Sequence, residues 1–153
     1  MTTNEDSLSV RFLNEILAER GVKLRVKVIP IGPVLLVEDD ENDALMVKRL
    51  FESIDVELEI ITSGGVAMKE INSKRYSLVL LDLRLPDMSG LEVLKMARRT
   101  FPELHVVILA GELEPAMSDQ VRGLGYFGVS MKPLRRSDVL DILLQNRLIE
   151  IGP

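Results

Sequence analysis

The chain has no cysteine and a single histidine, His105. Without cysteine there are no disulfides, no thiolate metal sites and no cysteine nucleophile, and one histidine excludes a multi-histidine metal centre. No apolar run approaches the ~20 residues that span a bilayer, and the first residues lack the apolar segment of a signal peptide. Positive charge is also short. The net charge is -5 and the isoelectric point about 5.0, which gives a direct nucleic-acid interface no support. These absences predict a cytoplasmic protein with no membrane or nucleic-acid partner. What is present, 46% hydrophobic and 28% charged residues over 153 positions, suffices for one domain with a real core plus something extra.

The extra part comes first. Leu8, Phe12, Leu13, Ile16 and Leu17 recur at helical spacing, and Gly21 is a natural stop. Val22 to Val28 then alternates apolar and basic residues, the pattern of a strand with one wet face, before Pro30, Gly32 and Pro33 close the segment. Residues 1–32 therefore read as a helix-and-strand extension. Two roles are open to it: a layer packed on the domain's own surface, or a docking element through which the chain forms a homodimer.

From Pro33 the pattern changes. Val34–Val37, Leu78–Leu81 and Val106–Leu109 are continuous apolar runs, as expected of strands buried on both faces. Further strands are expected over Val56–Ile61 and Phe127–Met131. Amphipathic helices separate them: one carrying Ala44, Val47, Leu50, Phe51 and Ile54, one opened by Ser63-Gly-Gly65, one from about Ser89 to Thr100, and a short one over Pro115–Arg122. A final helix, capped by Ser137, carries Val139, Leu140, Leu143 and Leu144. Five strands alternating with five helices predict an α/β fold with a parallel, doubly wound (flavodoxin-like) sheet over residues 33–146. Residues 147–153 read as a C-terminal tail, or as the start of a linker.

The chain is organised around Leu78-Val-Leu-Leu-Asp-Leu-Arg-Leu-Pro-Asp-Met-Ser-Gly90. Its apolar run stops at Asp82, where a parallel strand leaves the sheet and where such folds bind ligands. Two other strand ends carry Glu38 and Asp39, and Lys132. If the first and third strands are neighbours, their carboxylates converge, and like charges at close range need a partner. A hard cation such as Mg2+, which takes a few carboxylates plus waters, resolves the conflict. Lys132 supplies a point charge for an anionic group. Together these residues suit Asp82 to accept a phosphoryl group covalently.

The segments Val34-Leu-Leu-Val-Glu-Asp-Asp40, Leu80-Leu-Asp-Leu-Arg-Leu-Pro-Asp-Met-Ser-Gly90 and Met131-Lys-Pro133 resemble the receiver domains of two-component response regulators, over roughly Pro33 to Asn146. The resemblance implies a CheY-like phosphoprotein that acts in signal transduction rather than as an enzyme. It would accept a phosphoryl group on Asp82 from a histidine kinase or histidine phosphotransfer protein of a phosphorelay and signal to a downstream protein target. It implies that Asp39 is a direct Mg2+ ligand, Glu38 one acting mostly through a water, the backbone carbonyl of Arg84 a further ligand, and Lys132 the phosphoryl contact. Asp40 is left as a loop or helix-start residue. Arg84 and Glu112 fall where the family modulates the lifetime of the phosphoryl group.

Two positions depart from the family pattern. Where receivers carry Thr or Ser at the end of the fourth strand, this chain has Ala110; where they carry Tyr or Phe before the lysine, it has Val129, with Tyr126 and Phe127 earlier. The residues that receive phosphate are thus present, whereas the usual hydroxyl–aromatic switch is not. The alternative function is a degenerate receiver used as a constitutive protein-binding module. An aspartyl-phosphate phosphatase is disfavoured because Arg84 stands where such enzymes place a second Asp. His105, at a strand start, reads as a surface histidine rather than a phosphotransfer residue.

Overall fold

A computed structural model describes residues 8–28, 32–112, 115–124 and 128–153. At its centre is a five-stranded parallel sheet with the order β3-β2-β4-β5-β6. Its strands are β2 (Val34–Val37), β3 (Leu58–Ile61), β4 (Leu78–Asp82), β5 (Val106–Ala110) and β6 (Val129–Met131). Every residue of β2, β4 and β5 is buried, as three uninterrupted apolar runs require. Alternation along these strands sends side chains to opposite faces. Leu36, Leu80 and Leu109 pack with α2 (Glu41–Glu52) and α6 (Arg136–Gln145) on one face. On the other, Val37, Leu81 and Ile108 pack with α3 (Gly64–Ser73), α4 (Gly90–Thr100) and α5 (Pro115–Gly123). The chain is the doubly wound α/β protein that its pattern predicts.

Local chemistry sets the helix ends. Asp40 caps α2, its carboxylate accepting a hydrogen bond from the Asp43 N–H at 2.9 Å, and Ser63 and Ser89 cap α3 and α4 in the same manner. Ser137, expected as the cap of the last helix, lies inside it. Arg135 holds the cap position, and the Asp138 carboxylate accepts from its N–H at 2.7 Å. The second strand of the sheet begins at Leu58 rather than Val56, because Leu58 is the residue that registers with Val34, the first of β2. The last begins at Val129, and Tyr126 and Phe127 lie outside the described residues.

The N-terminal segment forms α1 (Leu8–Glu19) and β1 (Arg25–Val28). Helix α1 ends in paired turns, Gly21 N–H to Ala18 carbonyl at 3.0 Å and Val22 N–H to Leu17 carbonyl at 2.9 Å, with Gly21 at φ +72°. Its buried face is Val10, Leu13, Ile16 and Leu17, whereas Leu8, expected on that face, is 76% exposed at the helix start. Strand β1 pairs antiparallel with β7 (Ile149–Gly152), so residues 147–153 are not a loose tail. Leu13, Ile16, Leu17, Val26 and Ile149 belong to the same apolar cluster as Leu36, Leu80 and Leu140. Between α1 and α6, Arg20 forms a forked ion pair with Asp141 at 2.7 and 3.0 Å. Arg136 contacts Glu15 and Glu19 at 2.6 and 2.9 Å and lies over the Phe12 ring. The extension is a layer on the domain's own surface.

Candidate functional site

Strand order turns on β2: β3 lies on one side of it and β4 on the other. In such sheets the crevice outside the carboxyl ends at that reversal is the binding position. Val37 registers with Leu81, and Asp82 with Leu109. Glu38 therefore emerges beside Asp82, with Ala110 one step beyond on the next strand. Ala110 registers with Met131 on β6, and the Lys132 N–H donates to the Ala110 carbonyl at 2.7 Å. The ladder thus brings Glu38, Asp39, Asp82, Ala110 and Lys132 to one edge of the sheet.

Three carboxylates share the Lys132 ammonium. Its Nζ lies 2.7 Å from Glu38 Oε2, 3.1 Å from Asp43 Oδ2 and 3.3 Å from Asp82 Oδ2. Burial by itself would lower this ammonium, but the three acids outweigh it and hold its pKa above the ordinary lysine value. Glu38 is 1% exposed, and burial pushes its carboxyl up to about 7, with Lys132 opposing the rise and Asp82 adding to it. Asp39, by contrast, is exposed. Asp82 Oδ1 accepts from the Arg84 N–H at 3.2 Å, which orients the carboxylate from its own loop.

Glu38, Asp39 and Asp82 each offer a carboxylate oxygen, all within 4.8 Å of one another. Glu38 Oε2 is buried and makes no directed hydrogen bond, the Lys132 ammonium being its close ionic neighbour. An all-oxygen donor set that includes a buried carboxylate oxygen without a directed hydrogen bond fits a hard divalent cation such as Mg2+. A single lysine does not balance these acids together with Asp43.

The loop from Leu83 to Ser89 is fixed at both ends. Arg84 bridges Ser89, and the Gly90 N–H donates to the Leu83 carbonyl at 2.8 Å. Asp87 reaches across to α3, its two oxygens accepting from the Gly64 and Gly65 N–H groups at 2.9 Å each; those bonds hold its carboxyl below the usual range. Over this loop and the end of β5 opens a cavity of about 480 Å³ lined by Asp82, Arg84, Ala110, Gly111, Glu112 and Lys132, among others. Arg84 and Glu112 are both exposed at its mouth and are not ion-paired with each other. Ala110 is 3% exposed and offers the cavity no hydroxyl. Val129 is part-buried against the apolar cluster of the α3–α5 face. His105 lies away from this edge, half-buried, with Nδ1 3.1 Å from Asn146 Oδ1.

Two residues of this site carry no role in the sequence reading. Asp43 sits on the polar face of α2, one turn past Asp39; its spacing from Asp40 marks it only as a first-turn acid. Asp87 lies inside the quoted motif, but its partners are 22 and 23 residues away in the chain.

A flavodoxin-like sheet with an acid cluster and a lysine at its switch point defines the class of this protein. Residues 34–144 match the response regulator receiver domain family. The Brucella ovis cell cycle response regulator CtrA is 35% identical over 112 residues, covering 70% of this chain and 46% of CtrA. The Vibrio cholerae regulatory protein LuxO is 29% identical over 115 residues, 74% of this chain and 25% of LuxO. The chain thus spans less than half the length of these curated relatives. Among solved structures, a CheY-like receiver domain protein from Methanospirillum hungatei superposes with a TM-score of 0.71 at 27% identity, over 78% of this chain and 94% of that one. A LuxO receiver domain from Vibrio parahaemolyticus gives 0.68 at 26% identity, over 77% and 92%. The chain belongs to the response regulator receiver domain family, whose members are signalling modules of two-component systems. Among the described residues no helix is long and apolar enough to cross a membrane.

Proposed function

We propose that this protein is a phosphoacceptor receiver, phosphorylated on Asp82 by a histidine kinase or histidine phosphotransfer protein, and that it signals through contacts with a downstream protein. The observation that carries this reading is the contact of Lys132 with Asp82, 3.3 Å apart, beside Glu38 and Asp39 at the sheet's switch point. An Asp82 carboxylate oxygen attacks phosphorus as the donor's P–N bond breaks, and the electron pair leaves with the imidazole. Asp82 holds the transferred group, and the Arg84 N–H keeps the carboxylate aimed. Lys132 pairs with a phosphoryl oxygen. Glu38, Asp39, Asp82 and the Arg84 carbonyl would hold Mg2+, which when bound neutralises charge on the entering phosphoryl oxygens. Arg84 and Glu112, at the cavity mouth, are placed to set how readily water reaches the acyl phosphate.

The readout differs from the family's usual one. A missing hydroxyl at Ala110 removes one neutral hydrogen bond from the phosphorylated state, a loss of about 0.5–1.5 kcal/mol. That leaves the chemistry of a lysine and an acid cluster intact but weakens a switch whose states differ by a few kcal/mol. Val129, part-buried against the apolar cluster, gives no aromatic to rotate inward. These same two positions favour a second reading, a constitutive binding module with its working surface elsewhere.

Intact mass after incubation with acetyl phosphate, or with a histidine-phosphorylated donor protein, separates the two. The expected result is a gain of one phosphoryl group that requires Mg2+ and is lost in Asp82→Asn. No gain from either donor would overturn the phosphoacceptor reading in favour of the binding module.

A further inference from the structure

The Lys132 ammonium has three carboxylates within ion-pair distance: Glu38, Asp82 and, from α2, Asp43. Asp43 differs from the other two. Its side chain is 41% exposed, against 1% and 9% for Glu38 and Asp82, and it bonds Lys132 directly at 3.1 Å. It lines the cavity over Asp82 and also the small pocket beneath the lysine, with Met46, Val47 and Pro133. It therefore borders the cavity that holds Asp82 while being tied to the first turn of α2. The described residues that meet Lys132 Nζ within ion-pair distance are these three acids.

We propose that Asp43 is a positioning residue that competes with the phosphoryl group for Lys132 and so weakens the phosphorylated state. The inference rests on the phosphoacceptor reading above. A phosphoryl group on Asp82 adds negative charge inside the cavity, and to meet one of its oxygens Lys132 must give up one of its present contacts. The Asp43 contact stabilises the unphosphorylated arrangement, and its charge then faces the new anion. Both effects act in the same direction, against phosphorylation. With Ala110 supplying no hydroxyl, the described side-chain donors lining the cavity are Arg84, exposed at its mouth, and the more buried Lys132 beside Asp82. A residue that holds that donor back therefore has leverage on the equilibrium. Neutralising Asp43 while keeping its shape should tighten the binding of a phosphoryl mimic.

The test is the equilibrium affinity for beryllofluoride in the presence of Mg2+, measured by calorimetry on the whole chain. Asp43→Asn is expected to bind about two- to fivefold more tightly than wild type, the range for one part-exposed charge contact. Asp43→Glu, which keeps the charge, should stay near wild type. The gain of Asp43→Asn should shrink as salt is raised, and it should vanish in a Lys132→Ala background. A merely structural role for Asp43 would shift the melting temperature and leave these affinity ratios at one. Beryllofluoride binding by wild type that is lost in Asp82→Asn, without tighter binding by Asp43→Asn, overturns the inference alone. Absence of Asp82-dependent binding in wild type overturns the phosphoacceptor reading and the inference with it.

Discussion

Gly90→Ala is expected to destabilise the protein by about 3 kcal/mol, the upper part of the usual range for forcing atoms into a packed site. A Cβ at Gly90 would stand 2.3 Å from the Asp82 carbonyl oxygen and 2.7 Å from Leu83 Cα. Both are backbone atoms, so no side chain can swing away to make room. Relief comes from shifting either the first turn of α4 or the end of β4, and the end of β4 carries Asp82. The 2.8 Å bond from the Gly90 N–H to the Leu83 carbonyl would strain in the same movement. Stability and phosphoryl chemistry should therefore fall together. Urea unfolding, read beside the extent of phosphorylation of the still-folded fraction, measures both. Wild-type stability in Gly90→Ala would show that the loop relaxes elsewhere and that the close approach is not what fixes Asp82.

Leu13→Ala is the second substitution with a large expected effect, a loss of about 3 kcal/mol, within the range for emptying a buried leucine site. Leu13 is 1% exposed and lies in one cluster with Phe51, Leu140 and Ile149. Leu8→Ala, five residues earlier on a side chain 76% exposed, is expected to change stability by less than about 0.5 kcal/mol. We propose on this basis that α1, β1 and β7 unfold with the receiver sheet as one cooperative unit. An extension serving only as a detachable arm would make Leu13→Ala as silent as Leu8→Ala in a single urea transition.

The parts of this fold that sequence reveals are those where one residue run has one physical solution. Val34–Val37, Leu78–Leu81 and Val106–Leu109 are too short for buried helices and too apolar for exposed strands. The first two end where polar residues begin, and that boundary delivers Glu38 and Asp82. Strand β7 is hidden for a related reason. The turn that starts it places Arg147 at φ +56°, with its N–H on the Leu144 carbonyl and the Leu148 N–H on the Leu143 carbonyl. A glycine there would announce the turn; an arginine does not. The pairing of β7 with β1 is a contact between the two ends of the chain, which no local pattern encodes. The roles of Asp43 and Asp87 depend likewise on distant partners: Lys132 lies 89 residues from Asp43, and the glycines of α3 more than twenty from Asp87. An acid on the wet face of a helix and an acid in a turn are each ordinary until the sheet has folded.

The absence of the hydroxyl at Ala110 is legible from sequence, but its setting is not. The structure adds that Ala110 is buried and lines the cavity, with its carbonyl holding the Lys132 backbone.

The central claim is that Asp82 carries the phosphoryl group. Borohydride reduces an aspartyl phosphate to homoserine, so treating the phosphorylated protein and sequencing its peptides by mass spectrometry names the residue. The expected result is homoserine at position 82 alone, formed only when Mg2+ accompanied the phosphodonor. Homoserine at Asp39 or Asp43, or incorporated phosphate with residue 82 unreduced, would contradict the account.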